Sequence, residues 1–351
     1  MGVAKIIGLA KALPGYCRTT ADIIPFVEIW LGDEEVRFRR KVVKIFEGAG
    51  VDKRYGIMPI EAVFTQTSFE AKNDLYSKAA ISLGKTALQK ALHKADWAPK
   101  SLDFIITVSC TGIMIPSLDA YLVNLLGLRQ DIIRMPVTEM GCAAGVSGII
   151  YAANFLRANP NKRAAVIAVE SPTATFQHSD KTMANMVSAA IFGDGASCVL
   201  LSSKQSDNGP KVVGEGMYHF YDAITMMGFD LTDSGLKMVL DPKVPEVIAA
   251  HFPKFTYPFL ENLGTSMERV SHLIFHPGGK KIVQTVDTLF GQLGKNIDLT
   301  RKILKDYGNM SSATVLYVLE AFMEKEIAEG EQGLILSFGP GFSAQRVLIE
   351  W

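Results

Sequence analysis

Long apolar runs, an excess of charge of either sign and paired cysteines are all missing from this 351-residue chain. The longest uncharged run, Met140 to Leu156, falls short of the ~20 residues a membrane span needs and is interrupted by Gly, Ser and Asn, so it reads as a buried helix. Thirty-six basic residues against 36 acidic ones leave no global field that would draw the chain onto nucleic acid or an anionic membrane, so partners must be recognised locally. The four cysteines, Cys17, Cys110, Cys142 and Cys198, form no CxxC pair, which speaks against zinc and dithiol redox sites and against a disulfide-bonded secreted scaffold. Reduced thiols in a cytoplasm are expected. Met1 to Gly15 carries Lys5 and Lys11 and lacks the order of a signal peptide, and Ile6 stands where a myristoylation signal beginning at Gly2 wants Ser or Thr. The sequon Asn309-Met310-Ser311 is therefore read as coincidence. What the chain does have is 48% hydrophobic residues, enough for a large core.

It also has an internal repeat. Leu102 to Val108 reads as a buried strand ending at Ser109, and Arg269 to Phe275 as another ending at His276, 167 residues later. Cys142 and Asn309, each followed by an apolar helical pattern, are separated by the same 167, as are Glu170 and Ser337, which follow the strands Ala164–Val169 and Glu331–Leu336. Strand, helix, strand repeated in one register implies two α/β halves, 1–205 carrying Cys142 and 206–351 carrying His276 and Asn309, joined near the polar stretch Ser202 to Pro210. Such an architecture brings the starts of its two central helices to a shared interface, where small-molecule sites form.

Cys142 stands after Gly141 at a helix opening among very small neighbours. A helix N-terminus favours a thiolate, and the lack of bulk lets a carbonyl reach the sulfur. Taken alone, it equally suits a small buried hydrophobe. His276 ends a strand before Pro-Gly-Gly, where backbone can approach a ligand; a structural turn histidine is the alternative. His272 and His276 lie ~13 Å apart along a strand and cannot share a metal, so no metal site is expected. Asn309 suits an N-cap, but its register opposite Cys142 offers an amide donor to an oxyanion. Cys, His and Asn also serve papain-like proteases, whose local signature is absent around Cys142.

Five stretches together resemble one family over nearly the whole chain: Glu139-Met-Gly-Cys142-Ala-Ala-Gly, Ile191-Phe192-Gly-Asp-Gly-Ala, Phe275-His276-Pro-Gly-Gly, Tyr307-Gly-Asn309-Met-Ser-Ser-Ala and Phe338-Gly-Pro-Gly341. They are similar to the type III polyketide synthases, the chalcone and stilbene synthase-like enzymes. The resemblance implies a duplicated thiolase-like fold layered αβαβα, a Cys142, His276 and Asn309 triad, and Phe192 as a gate to the elongation cavity. It implies iterative decarboxylative condensation of an acyl-CoA starter with malonyl-CoA on a Cys142 thioester, then cyclisation, in a homodimer that needs no cofactor. Arg37, Arg40 and Lys44, at helical spacing, match the CoA-phosphate positions, with Lys281 beside them. Met238 replaces a second gate phenylalanine and Ile115 the methionine that crosses the plant dimer; Cys110 and Thr111 replace cavity hydroxyl residues, and Thr175 keeps one. A less aromatic cavity points to a fatty acyl starter and an alkylpyrone or alkylresorcinol. The alternatives are a one-step ketoacyl synthase of the fatty-acid priming type and a chalcone synthase-like enzyme with an aromatic starter; a non-catalytic scaffold is disfavoured because all three triad residues are present.

Overall fold

The structure is a computed structural model that describes residues 2–351. The chain opens with β1 (Lys5–Ala12); β2 (Tyr16–Thr19), α1 (Thr20–Trp30), α2 (Val36–Glu47), β3 (Lys53–Gly56), α3 (Ile60–Thr65) and α4 (Phe69–Lys94) follow. Then come β4 (Phe104–Val108), α5 (Leu118–Leu126), β5 (Ile133–Val137), α6 (Ala144–Ala158), β6 (Arg163–Glu170), α7 (Met183–Ile191) and β7 (Gly195–Ser202). The remainder is β8 (Lys211–His219), the hairpin β9 (Met227–Thr232) and β10 (Gly235–Leu240), α8 (Val244–Asn262), β11 (Val270–Phe275), α9 (Lys280–Gly291), α10 (Asp298–Tyr307), α11 (Thr314–Met323), β12 (Gln332–Gly339) and β13 (Ser343–Glu350).

Nine strands form one sheet in the order β11-β12-β13-β8-β1-β7-β6-β4-β5. At its centre β1 and β8 meet through a single residue pair, Lys5 opposite Lys211. Outward from that seam the halves match: β1-β7-β6-β4 pair antiparallel, antiparallel and parallel, and β8-β13-β12-β11 do the same. The repeat read from the sequence is this duplication, and β5 is the one strand of the nine-stranded sheet without a counterpart.

Side chains alternate across a strand, so successive residues enter different cores. In β6, Ala165, Ile167 and Val169 pack with Leu88 and Leu92 of α4, whereas Ala164, Val166 and Ala168 pack with Val146 and Ile149 of α6. In β12, Ile335 joins that second core with Val315 and Leu319 of α11, whereas Leu334, Leu336 and Phe338 face Phe252 and Phe255 of α8 and Phe290 of α9. Helix, half-sheet, helices, half-sheet, helix is the five-layer arrangement, the two halves of the one sheet flanking α6 and α11 in the middle layer. Strands covered on both faces explain why they read as unbroken apolar runs rather than alternating ones. The two central helices approach closely because Gly145 has no side chain: a Cβ there would lie 2.2 Å from the Ser312 carbonyl oxygen.

The 167-residue register needs a correction at those helices. Gly141 and Gly308, both at positive φ (51° and 72°), keep it. The one-turn 3-10 helices that follow span Gly141–Ala143 and Ser311–Ala313, however, and α6 and α11 begin 170 residues apart, at Ala144 and Thr314. By helix position Ser312 matches Cys142, and Asn309 sits one turn earlier because the entering turn is three residues longer in the second half.

Candidate active site

Cys142 lies in the turn that opens α6, with its carbonyl oxygen accepting 2.7 Å from Ser337 Oγ at the end of β12. Its sulfur faces Ser311 Oγ at 3.6 Å. Burial pushes the thiol up to about 12; hydrogen bonds from Ser311 and Asn309 favour the thiolate, the Glu170 carboxylate opposes it, and dehydration outweighs the rest. Dehydration thus works against the lowering expected from the helix N-terminus.

Asn309 is fixed from both ends of its amide. Oδ1 accepts from Ser311 N–H at 2.8 Å and Thr314 Oγ1 at 3.2 Å, and Nδ2 donates to the Gly278 carbonyl at 3.2 Å, two residues beyond His276. Its backbone pairs with Phe192 in an isolated parallel bridge: Asn309 N–H donates to Ile191 O at 2.8 Å and Gly193 N–H to Asn309 O at 3.0 Å. Glycine is required on both sides of this contact. A Cβ on Gly193 would lie 2.5 Å from the Tyr307 carbonyl, and one on Gly308 2.8 Å from the Ile191 carbonyl.

His276, at the end of β11, is 3% exposed, and neither ring nitrogen has a hydrogen-bond partner. Burial pushes the imidazole down to about 3, so it is neutral. Gly278 ties it to the site, since a Cβ there would lie 3.9 Å from His276 Nε2 while the Gly278 carbonyl takes the Asn309 amide.

Sequence reasoning missed the group that organises the polar side of this pocket. Glu170, fully buried at the end of β6, accepts from Cys110 N–H at 3.1 Å, Thr111 Oγ1 at 2.7 Å, Ser109 Oγ at 3.3 Å and Ser312 Oγ. Burial raises its carboxyl above the usual range. Cys110 Sγ stands 3.3 Å from Ser311 Oγ, so one hydroxyl touches both thiols. A charge terminating an otherwise apolar strand was the legible signal for Glu170.

The residues expected around the cavity divide. Cys110 and Ile115 line a cavity of about 880 Å³ together with Ile113, Leu118, Leu236 and Val239. Phe192, Met238 and Thr175 line a second one of about 40 Å³. Thr111 lies outside both linings, turned to Glu170 and to Ser171 N–H. On α2, Arg37, Arg40 and Lys44 are exposed and, with Lys41, line an open depression of about 760 Å³. Lys281 is in the first turn of α9; its neighbour Lys280 approaches the end of α2, its Nζ 3.9 Å from where a Gly48 Cβ would stand. Among the described residues no three His, Cys, Asp or Glu side chains cluster as a metal site, and no helix is long and apolar enough to cross a membrane.

Two layered halves enclosing a cysteine, a histidine and an asparagine define a thiolase-like fold. Sequence models of the N-terminal and C-terminal domains of chalcone and stilbene synthases match residues 1–205 and 221–350. The chain belongs to that family and is a type III polyketide synthase, an acyltransferase. It is 32% identical over 315 residues to a 1,3,6,8-tetrahydroxynaphthalene synthase of Streptomyces peucetius, covering 88% of this chain and 83% of that one. A phloroglucinol synthase of Pseudomonas fluorescens is 28% identical, with 86% of each chain covered. The crystal structure of the 1,3,6,8-tetrahydroxynaphthalene synthase of Streptomyces coelicolor superposes with a TM-score of 0.92 at 27% identity over 99% of each chain.

Proposed function

We propose that this synthase extends a fatty acyl starter with malonyl units on Cys142 and closes the chain to an alkylpyrone or alkylresorcinol. The observation that carries this reading is the 880 Å³ cavity, whose wall joins many aliphatic side chains to polar ones such as Ser109, Thr138, Glu139 and Asp230, and which reaches Cys110, whose thiol shares the Ser311 hydroxyl with Cys142. An alkyl chain has there an apolar surface to bury.

In the proposed cycle the Cys142 proton leaves only as sulfur bonds to the acyl-CoA carbonyl, passing by way of the His276 ring to the departing CoA sulfur, because an imidazole at about 3 could not hold the proton of a resting thiol at about 12. Malonyl-CoA then binds with its thioester oxygen toward the His276 ring and the Asn309 amide. Loss of CO2 leaves an enolate whose oxygen these donors stabilise. The enolate carbon attacks the Cys142 thioester, the new carbon–carbon bond replaces the carbon–sulfur bond, and the lengthened chain on CoA returns to Cys142. The half 1–205 supplies the nucleophile and the half 206–351 supplies both donors. Phe192 and Met238 gate the small cavity beside the site, which Thr175 also lines.

Mass analysis of products from malonyl-CoA and acyl-CoAs of graded length tests this. Alkyl products extended by two or more units are expected. Products extended once would favour the priming-type ketoacyl synthase, and products built from malonyl-CoA alone would remove the fatty acyl starter.

Arg37, Arg40 and Lys44 receive the CoA phosphates at the α2 depression, aided from α9 by Lys281. Replacing the first three by glutamine should raise KM for malonyl-CoA about tenfold or more, with kcat changed little and the salt dependence of KM weakened. A larger loss in kcat than in KM would remove α2 from CoA binding. Free thiols and CoA substrates fit a cytoplasmic enzyme without cofactor. A homodimer is supported by β5, an edge strand paired only with β4, where Ile133 and Met135 are exposed. Ile115, 94% exposed, projects near the same edge.

A further inference from the structure

One buried cation near the site has no counter-charge. Arg54, in β3, is 2% exposed, and no carboxylate lies within ion-pair distance of it among the described residues. Dehydration, with the nearby Arg18 charge, pushes it down to about 9, so it remains cationic at neutral pH. Its partners are carbonyls and a hydroxyl: Nη1 donates to Ala189 O at 3.0 Å and Phe192 O at 3.5 Å, and Nη2 to Thr20 Oγ1 at 3.1 Å. Two of these carbonyls sit at the C-terminal end of α7, where unpaired carbonyls gather negative potential that a guanidinium satisfies.

The residues at that helix end pair with Asn309. Ile191, Phe192 and Gly193 lie between β3 on one side and the Asn309 loop on the other. Asp194 N–H donates to Tyr55 O at 2.8 Å, and a Cβ on Gly193 would lie 3.1 Å from that of Arg54. Across the ribbon Asn309 N–H donates to Ile191 O, and the Tyr55 and Tyr307 rings stack at 6.0 Å. Arg54 also lines the small cavity beside Phe192, Thr175 and Met238.

We propose that Arg54 is a positioning residue: by holding the C-terminal end of α7 it fixes the Phe192–Asn309 bridge and so aims the Asn309 amide for malonyl decarboxylation. This rests on the donor role given to Asn309 above. Acyl transfer to Cys142 depends on the α6 turn, which is anchored separately by Ser337, and meets Asn309 only through its hydrogen bond to the sulfur, so decarboxylation is the more sensitive of the two half-reactions.

The test measures them side by side: malonyl-CoA decarboxylation to acetyl-CoA and CO2 in the Cys142→Ala background, and acylation of Cys142 by intact mass in the native background. For Arg54→Gln, decarboxylation kcat should fall about tenfold or more, because sub-ångström misplacement of a donor is that costly. Acylation should stay within about threefold, because there Asn309 contributes one hydrogen bond to the sulfur rather than a donor to a developing oxyanion. Arg54→Lys keeps the charge but not the fork and should recover part of the decarboxylation rate. Thermal unfolding of each variant scales the rates to folded protein. Equal loss in both half-reactions, or loss in neither, overturns the proposal. Asn309→Ala in the same assay locates the fault: if it slows decarboxylation and Arg54→Gln does not, Arg54 is misassigned. If Asn309→Ala is itself without effect, the donor role of Asn309 falls and the proposal built on it falls too.

Discussion

Cys142→Ala should abolish acyl-enzyme and product while leaving malonyl-CoA decarboxylation in place. Removing the sulfur removes the atom that forms the thioester, and loss of a nucleophile lowers turnover on the order of 10⁴-fold or more. The substitution leaves Asn309 bonded to Gly278, Ser311 and Thr314, so the donor side of the site keeps its geometry. Cys110 is the sulfur placed to substitute, since it touches the same Ser311 hydroxyl. It should not do so: beyond the burial it shares with Cys142, its thiol donates to the Glu170 carboxylate and has no Asn309 donor, so it is held more firmly in the protonated form, well above the ordinary range. Peptide mapping after incubation with acyl-CoA decides the point. An adduct on Cys110 in the Cys142→Ala protein, at a rate near that of the native enzyme, would transfer the nucleophile's role.

Much of the fold was open to a reading of the sequence because its strands are buried on both faces and its halves are copies. Phe104–Val108, Arg163–Glu170, Val270–Phe275 and Gln332–Gly339 fall within two or three residues of the expected strands, and the matched pairing around the β1–β8 seam is the repeat seen in another form. The helix register was less legible. Similar motifs align the glycines at 141 and 308, but where a helix starts depends on the length of its entering turn, and that length differs by three residues between the halves.

Cys142 and Asn309, which the structure brings together, could be picked out from the sequence, but what acts on the protonation of the thiol could not. The small neighbours of Cys142 suggested an activated thiolate, yet a helix end is worth at most ~2 kcal/mol, and complete burial outweighs it. Glu170, Ser311 and Ser312 were visible as letters, but their convergence depends on β6 and the α11 turn meeting across the middle layer, which no local pattern encodes. Arg54 was invisible for the same reason, since its partners lie 135 and 138 residues away. Lys41 was a smaller omission, sharing the face of α2 with three residues already singled out.

Replacing His276 by alanine should cost decarboxylation about 10²- to 10³-fold, the usual loss of an oxyanion donor, and the pH profile should reveal the state of the ring. Burial holds the imidazole at about 3, so it stays neutral across the working range. Decarboxylation in the Cys142→Ala background should therefore show no fall centred near ~6.5, where a hydrated histidine titrates. The same shift sets a stability signature. The folded value lies below the unfolded one, so the unfolded chain binds the proton first as pH drops. The native state therefore keeps this contribution above ~6.5 and loses it toward 3, at up to ~1.4 kcal/mol per pH unit. Asp194, raised by burial to about 6, acts in the opposite sense over part of that window, so only the difference between native protein and His276→Asn isolates the histidine. His276→Asn should move the acid unfolding midpoint to lower pH. An acid limb near 6.5 in the decarboxylation rate, together with an unmoved midpoint, would mean that the working enzyme hydrates or pairs this ring, and the neutral-imidazole mechanism would have to give way to an ion pair with Cys142.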